Sequence, residues 1–490
     1  MREVRFTDTT FRDGQASLWA EGMRTGMMLA LAQKMDRAGF VAAEVIATSH
    51  FKKCVRDLRE DPWERVRLVS KMMPNTKLAA MGYTPATFKS SPLSITELYI
   101  NRLAANGIRR LQVMDAANDM TGDIVNAVAF AQAAGLDAMV ALVFSESPKH
   151  TDEYYVSKAK EAASMRPNLI YLKDPGGLLT AERVRSIVPA LLDAVENVPL
   201  EFHTHCTTGL GPMAVLAAVE SGINIVHTAV PPLANGSSQP SIFNIASNLQ
   251  ALGYETAIDG QPLAEISQEL FRMAKIENFP IGKPLEYDYS QYVHQVPGGV
   301  ISNLRYQLTQ MGMIRRLEEV LNESIQVRRD LGYPIMVTPF SQFVVSQAAI
   351  NVLSGIRYRV VTDEVIGYVA GAFGSEASNG VDPDVRDHIL DRPRAKTLRE
   401  NKREEPSLKE IRGTLGGPGV SDDELLLRYV CGGEEEVAAM RRAGPFKTYS
   451  SRPRSIVDLA EMAMGGRKLD QFSLSQPGFT IKTNGNLGYV

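Results

Sequence analysis

Two histidines, His203 and His205, stand two residues apart in the run Leu200–Gly209, read as LEFHTHCTTG. An apolar, extended stretch delivers them in the i, i+2 relation that puts both imidazoles on one side of a strand. Two imidazoles aimed at one point are part of a site for zinc, and equally for iron, cobalt or nickel; the other ligands must come from elsewhere in the chain. For an isolated HxH the commoner outcome is a pair of polar residues at a strand end. The surrounding elements decide between the two.

Short runs suited to buried strands recur at Val4–Phe6, Ala43–Ile46, Lys77–Ala80, Arg110–Met114, Asp137–Val143, Leu169–Lys173, Leu200–His203 and Ile225–Thr228. Helical patterns lie between them at Gly26–Ala38, Pro62–Met73, Ile95–Asn106, Thr121–Ala134, Thr151–Met165, Ala181–Glu196 and Met213–Ser221. Eight strands alternating with helices over roughly 250 residues predict an α/β fold, a (β/α)8 TIM barrel, with its active site at the C-terminal ends of the strands. A doubly wound open sheet is the competing arrangement. It is disfavoured because no Gly-rich dinucleotide or P-loop motif follows any of the strands.

The barrel turns the histidines into a test. Asp13 in DTTFRDG then falls just after strand one, Lys173 in YLKDPGG ends strand six, and His203 and His205 end strand seven. Each alone has an ordinary reading, as a turn residue beside glycine or a strand-end lysine with its head in solvent. All four converging on one barrel mouth is much less ordinary.

Composition bounds the rest. A chain of 490 residues exceeds what one core usually organises, so a large domain with a substantial second one is expected. The hydrophobic share of 44% and charged share of 22% are those of a soluble globular protein. A net charge of −3, with basic and acidic residues interspersed, argues against a nucleic-acid or anionic-membrane partner and for small molecules or other proteins. Cys54, Cys206 and Cys431 make neither a disulfide framework nor a thiolate metal knot. With no apolar signal core in MREVRFTDTTFRDG and no membrane-length apolar run, the expectation is a soluble, unexported, cytoplasmic protein.

FTDTTFRDGQASL at 6–18, YLKDPGGLL at 171–179, HTHCTTG at 203–209, NGSSQPS at 235–241 and HQVPGGVISNL at 294–304 resemble the carboxyltransferase component of biotin-dependent enzymes. That family includes the pyruvate carboxylase domain, the oxaloacetate decarboxylase alpha subunit and the methylmalonyl-CoA–pyruvate transcarboxylase subunit, all of the HMG-CoA-lyase-like barrel superfamily. The resemblance runs from about residue 3 to about residue 445. It implies a TIM barrel followed by a mostly helical funnel domain, hence a barrel over 1–280, a funnel over 281–450 and a tail over 451–490. It also implies a divalent metal, zinc first with manganese or cobalt as alternatives, held at positions matched by Asp13, His203, His205 and a carbamylated Lys173. A carbamate made from the neutral lysine amine and CO₂ gives an otherwise poor ligand a carboxylate-like anion. Arg12 matches the family's active-site arginine, whose guanidinium fork suits a carboxylate or enolate oxygen.

The departures concern the substrate. A glutamine that helps bind the keto acid in relatives is replaced by Ala16, with Gln15 one position earlier. The second family arginine lines up with Met81 in LAAMGYTPATF. A CWGGAT-like segment after strand two becomes Val45–Ser49, VIATS, followed by His50, and a proton-shuttling threonine becomes Ser237. The metal and enolate apparatus is thus retained while the substrate pocket is remodelled around Arg12, Gln15, Ala16, Met81 and Ser237.

Beyond the barrel, Thr362–Gly371 and Ser421–Val430 suit helices, and the charged stretch Asp391–Ser407 reads as a solvated linker. Met462-Ala463-Met464 has alanine where a biotin carrier presents its lysine, so biotin is expected on a separate carrier protein, with a biotin carboxylase as a further possible partner. A homodimer is expected. The leading expectation is a carboxyltransferase or decarboxylase subunit acting on an enolisable carbonyl substrate. The alternatives are a biotin-independent metal lyase, aldolase or decarboxylase, and a non-catalytic structural subunit.

Overall fold

A computed structural model describes residues 2–86, 91–400, 405–449, 471–476 and 479–484. Residues 1–447 form one compact unit, and the antiparallel hairpin of Gln471–Gln476 with Phe479–Asn484 belongs to a second unit that begins at Thr448. The Met462-Ala463-Met464 segment lies outside the described residues.

Eight parallel strands close on themselves: β1 Glu3–Asp8, β2 Ala42–Ala47, β3 Lys77–Met81, β4 Arg110–Val113, β5 Asp137–Val143, β6 Leu169–Asp174, β7 Leu200–Thr204 and β8 Ile225–Thr228. Each pairs with the next, and β1 pairs with both β8 and β2, which seals the barrel. The TIM-barrel fold expected from the alternation is the fold found, with each strand within a few residues of its sequence-based limits. Burial on both faces explains why the strands read as apolar runs rather than alternating ones: every residue of β2, β4, β6, β7 and β8 is buried. Between them the helices carry local start signals. Asp61 accepts from Trp63 N, Thr151 from Tyr154 N and Thr180 from Arg183 N.

The register of β2 against β3 shifts between Glu44 and Ile46. A bulge of this kind beside an active site re-aims a side chain, and Glu44 is the residue that anchors Arg12, as described below.

Helices then dominate from Ser290 to Arg442. Their core gathers Leu308, Val327, Phe340, Phe343, Tyr368 and Ile389, among others. Just before helix Phe340–Ser354, the chain drops Ile335 and Val337 onto Met139, Ala141, Val143, Leu169 and Tyr171 of β5 and β6, stoppering the barrel mouth. Buried Arg328 fastens this lid, donating to Ser145 Oγ (2.9 Å), Glu146 O (3.1 Å) and Pro334 O (3.1 Å).

The stretch Asp391–Ser407 departs from its expected linker character. Pro393–Glu400 is helical, Ala395 is fully buried, and Arg394 Nε donates to Asp363 Oδ1 at 2.9 Å. Ser407 caps the helix Leu408–Thr414 through a reciprocal box with Glu410. A charge run marks a wet face, and a wet face is compatible with a short helix opened by proline.

Candidate active site

Every residue expected to hold the metal, and Arg12 with them, lies at or just past the C-terminal end of a strand, while Ser237 stands further along the loop that follows β8. Asp13 and Arg12 sit on Thr10–Gly14, one turn of π-helix directly after β1; such turns gather at functional positions. Gly14 packs so closely that an added Cβ would meet Leu233 O at 2.8 Å, so this turn needs glycine. Lys173 and His203 are register partners on β6 and β7, and His205 follows β7 by one residue.

The polar ends converge. Asp13 Oδ2 lies 3.3 Å from His203 Nε2, 3.3 Å from His205 Nε2 and 3.8 Å from Lys173 Nζ. Asp13 Oδ2 and Lys173 Nζ are buried with no hydrogen-bond partner among the described residues. Tautomers follow from the surrounding network. His205 Nδ1 donates to Ser237 O at 2.7 Å, so its Nε2 carries the lone pair and accepts from Gln239 Nε2 at 2.9 Å. His227 Nε2 donates to Glu201 Oε2 at 2.9 Å; with its proton there, the ring accepts at Nδ1 from His203 Nδ1 at 3.0 Å, which leaves the His203 lone pair on Nε2. A carboxylate oxygen and two imidazole lone pairs thus point at one place, a repulsive arrangement on its own. A divalent cation relieves it, and oxygen plus two nitrogens is a donor set that zinc accepts. Asp13, His203 and His205 have ligand atoms mutually within 4.8 Å. The residues fit the metal that the sequence resemblance implies.

Electrostatics agree with this arrangement. Burial pushes the Asp13 carboxyl up, but Arg12 and then His205 hold it well below the usual carboxylate range. Burial lowers the Lys173 ammonium, with Asp13 opposing. Burial and the charge of Lys173 keep His203 well below its ordinary value.

Arg12 is held rigidly: Nε donates to Glu44 Oε2 at 2.7 Å, and Nη2 pairs with the same carboxylate and with Asp13 Oδ2 at 3.2 Å. Glu44 also accepts from Gln112 Nε2, and Arg110 Nη1 donates to Glu201 Oε1 at 3.1 Å. In the second His/Glu cluster, Glu44, His203 and His227, each member is thus committed already, His203 to His227 and Glu44 to Arg12 and Gln112, and it supports the first.

These groups line a cavity of about 690 Å³ at the barrel mouth, floored by Arg12, Asp13, Lys173 and His205 and roofed by Pro297, Val337 and Thr338. Ala16, Met81 and Ser237 line it as well. Ser237 Oγ donates to Ser17 O at 2.9 Å. Gln15 does not line it: fully buried, it turns its amide to the His50 ring and accepts from Met23 N at 3.2 Å. Successive residues of a helical turn point in different directions, so a shift of one position from Ala16 carries the amide away from the pocket. His227, Glu201, Glu44, Gln112 and Gln239 did not emerge from the sequence. For the first four the signal was present, as polar residues inside otherwise apolar strands, Glu201 two residues before His203 and so on its face, while Gln239 lies in the NGSSQPS loop after β8.

The architecture is that of a barrel enzyme with its reactive side chains on the C-terminal mouth. The family described as HMGL-like matches residues 3–270, and the one described as conserved carboxylase domain matches residues 292–451. A pyruvate carboxylase subunit of Methanocaldococcus jannaschii is 38% identical over 79% of this chain and 68% of its own length. The methylmalonyl-CoA carboxyltransferase 5S subunit of Propionibacterium freudenreichii subsp. shermanii is 31% identical, over 78% of this chain and 76% of its own. The carboxyl transferase domain of Rhizobium etli pyruvate carboxylase, solved with pyruvate, superposes with a TM-score of 0.81 at 25% identity, covering 90% of this chain and 78% of that one. This chain belongs to the carboxyltransferase components of biotin-dependent carboxylases, within the HMGL-like family, and is an enzyme of carboxyl transfer.

Proposed function

We propose that this chain moves a carboxyl group between carboxybiotin on a separate carrier protein and an enolisable carbonyl substrate other than pyruvate or oxaloacetate. The observation that carries it is the convergence of the Asp13, His203 and His205 lone pairs beside Lys173 and Arg12 in one cavity. Asp13, His203, His205 and a carbamylated Lys173 would hold a divalent metal, zinc first. Bound there, the metal would supply Lewis-acid polarisation of the substrate carbonyl.

The chain's own groups do the rest. Arg12, fixed by Glu44, orients the carbonyl oxygen and meets the negative charge that gathers on it as the α-carbon loses its proton. Ser237 Oγ releases the Ser17 carbonyl and relays that proton to the biotin nitrogen, whose bond to the carboxyl group breaks as the enolised carbon takes up CO₂. The C–H bond lost and the N–H bond gained balance. Pro297, Val337 and Thr338 cover the cavity and keep water from the released CO₂. Met81 and Ala16 leave a keto-acid carboxylate without its usual clamp.

The domain division proposed with this function is a barrel over 1–280, a helical funnel over 281–450 and a tail over 451–490. The two family matches and the compact unit of residues 1–447 support it. Among the described residues no helix is long and apolar enough to cross a membrane, and the three cysteines are free, which is compatible with a cytoplasmic homodimer partnered by a carrier.

Incubation of the purified chain with labelled carboxybiotin and a panel of ketones and keto acids tests the reading. Label appearing on a ketone, and not without carboxybiotin, is the expected result. Decarboxylation of a substrate without biotin would replace it with a biotin-independent lyase.

A further inference from the structure

Four residues that the metal and enolate groups leave unused, Gln15, Glu21, Ser49 and His50, form one network beside the reaction cavity. Gln15 Oε1 accepts from Met23 N at 3.2 Å, and its Nε2 faces the two nitrogens of the buried His50 ring at 3.5 and 3.4 Å. His50 Nε2 stands 3.9 Å from Glu21 Oε1, which accepts from Ser49 Oγ at 2.6 Å. Of the four, Glu21 is the one that lines the cavity, together with Arg12, Ala16 and Met81. Gln15, Ser49 and His50 are positions where the sequence departs from its relatives' motifs, so those departures converge on this carboxylate.

The backbone holds Glu21 there under strain. Ala20 and Glu21 are consecutive left-handed residues, φ 48° and 62°, a conformation that residues with a Cβ rarely adopt. Glu21 N donates to Gln15 O at 3.3 Å and Gly22 N to Trp19 O at 2.8 Å, which closes the turn. Strained non-glycine backbone that persists at a cavity wall points to a role for the side chain it aims. Burial raises the Glu21 carboxyl from its ordinary range, while the Ser49 hydrogen bond and then the positive charges of Lys53 and Arg12 hold it down, with Asp57 opposing. A carboxylate in this place offers an acceptor to a donor on the substrate and meets a substrate carboxylate as like charge. An uncharged donor suits it better than an ammonium, because Lys53 and Arg12 already bring positive charge to the same group.

We propose that Glu21 is a specificity-determining residue whose carboxylate receives a hydroxyl carried a few atoms from the substrate carbonyl, so that the enzyme selects a hydroxy ketone over a keto acid. The assignment rests on the carboxyl-transfer reading only for which end of the molecule reacts. Ser49 and the Gln15–His50 pair are positioning residues, which fix the carboxylate without touching the substrate.

Three methyl ketones on the same two-carbon stem, ended by hydroxyl, methyl or carboxylate, test this by titration calorimetry with the full chain. The hydroxy ketone is expected to bind about ten-fold or more tightly than the methyl one, the range that a charge-assisted contact supplies, and the carboxylate ketone weakest of the three. Glu21→Leu should bring the hydroxy and methyl ketones to equal affinity. Glu21→Gly, which suits the left-handed backbone, should do the same without lowering the denaturation midpoint, so that misfolding is not the cause. Metal content should be the same in both variants as in the wild-type chain, since Glu21 is not among the ligands. Equal dissociation constants for the hydroxy and methyl ketones in the wild-type chain would overturn the assignment, as would a preference that survives in both variants or a loss of metal from both. The binding measurement needs no turnover. Discrimination that depends on Glu21 without any carboxylation sustains its role and counts against the carboxyl-transfer reading, whereas carboxylation of all three with equal affinities does the reverse.

Discussion

His227 meets His203 ring to ring, Nδ1 to Nδ1 at 3.0 Å, and the Glu201 carboxylate behind it, the closer of the two carboxylates facing the ring, draws its proton to Nε2. Glu201 makes His227 a donor at Nε2, and His227 in turn makes His203 a donor at Nδ1. The lone pair that faces Asp13 is thus set two residues away from the site. Burial pushes the Glu201 carboxyl up, but the His227 hydrogen bond and Arg110 hold it below its ordinary value, so the chain starts from a secure anion.

Removing His227 should therefore weaken metal binding without touching a ligand. Partners of this kind typically matter by about 10- to 100-fold in affinity. His227→Phe is expected to show that loss in chelator competition, and His227→Gln, whose amide can still accept from His203, a smaller one. His203→Ala should empty the site altogether. Full metal occupancy in the His203 variant, by elemental analysis, would sink the ligand assignment.

Lys173 is expected to carry a carboxyl group on Nζ. Desolvation depresses its ammonium, so the neutral amine that reacts with CO₂ is present at lower pH than for a surface lysine. As pH falls through that depressed value the amine is reprotonated and the carbamate is lost; as pH rises it is retained. Native mass spectrometry at neutral pH should show the added carboxylate, and acidification should remove it. Lys173→Arg, which cannot form a carbamate, should lose it at every pH. An unmodified lysine at neutral pH in CO₂-equilibrated buffer would count against the assignment.

How far the sequence reaches depends on which residues carry periodicity. The strands of the barrel are legible because burial on both faces makes them apolar runs, and the HxH pair is legible because a strand repeats every two residues. Once strand ends are placed, Asp13 and Lys173 follow from topology. Glu44, Gln112 and Glu201 are hidden for the opposite reason: a lone polar residue in an apolar run looks like noise until its partner on another strand is known. Ile335 and Val337 stopper the mouth from a segment with no regular structure, so no period announces them. Gln15 is misassigned by one position because a resemblance between motifs does not fix which side of a helical turn a residue occupies.

Asp115 has a cost in stability. Burial raises its carboxyl from 3.8 to about 6. Below pH ~4 the group is protonated in folded and unfolded chains alike and costs nothing. Between about 4 and 6 the unfolded chain ionises while the folded one resists, so stability falls as pH rises, by about 3 kcal/mol when the folded group is fully charged. Asp115→Asn should therefore raise the denaturation midpoint at pH 7 and leave it nearly unchanged below pH ~4. A destabilised variant at pH 7 would mean that the backbone bonds to Ala117 and Asp119 outweigh the desolvation.

Met81 should govern the choice between keto acids and ketones. It ends β3, lines the reaction cavity, and has no group that can bind a carboxylate. Each charge-assisted hydrogen bond lost typically costs ~1.5–3 kcal/mol, equivalent to roughly 10- to 100-fold in affinity. The wild-type chain is expected to use pyruvate poorly and a neutral ketone well. Met81→Arg should invert this by offering a guanidinium to the keto-acid carboxylate while removing an apolar wall from the reaction cavity. The informative quantity is the ratio of kcat/KM values for the two substrates with the same carboxybiotin donor. Arg12 and the metal ligands are common to both, so their contribution cancels in that ratio. Should the wild-type chain turn over pyruvate with an efficiency typical of enzymes, on the order of 10⁴–10⁸ M⁻¹s⁻¹, some other group would have replaced the missing clamp. Arg12 would be the first to replace, because it is the only arginine lining the reaction cavity among the described residues.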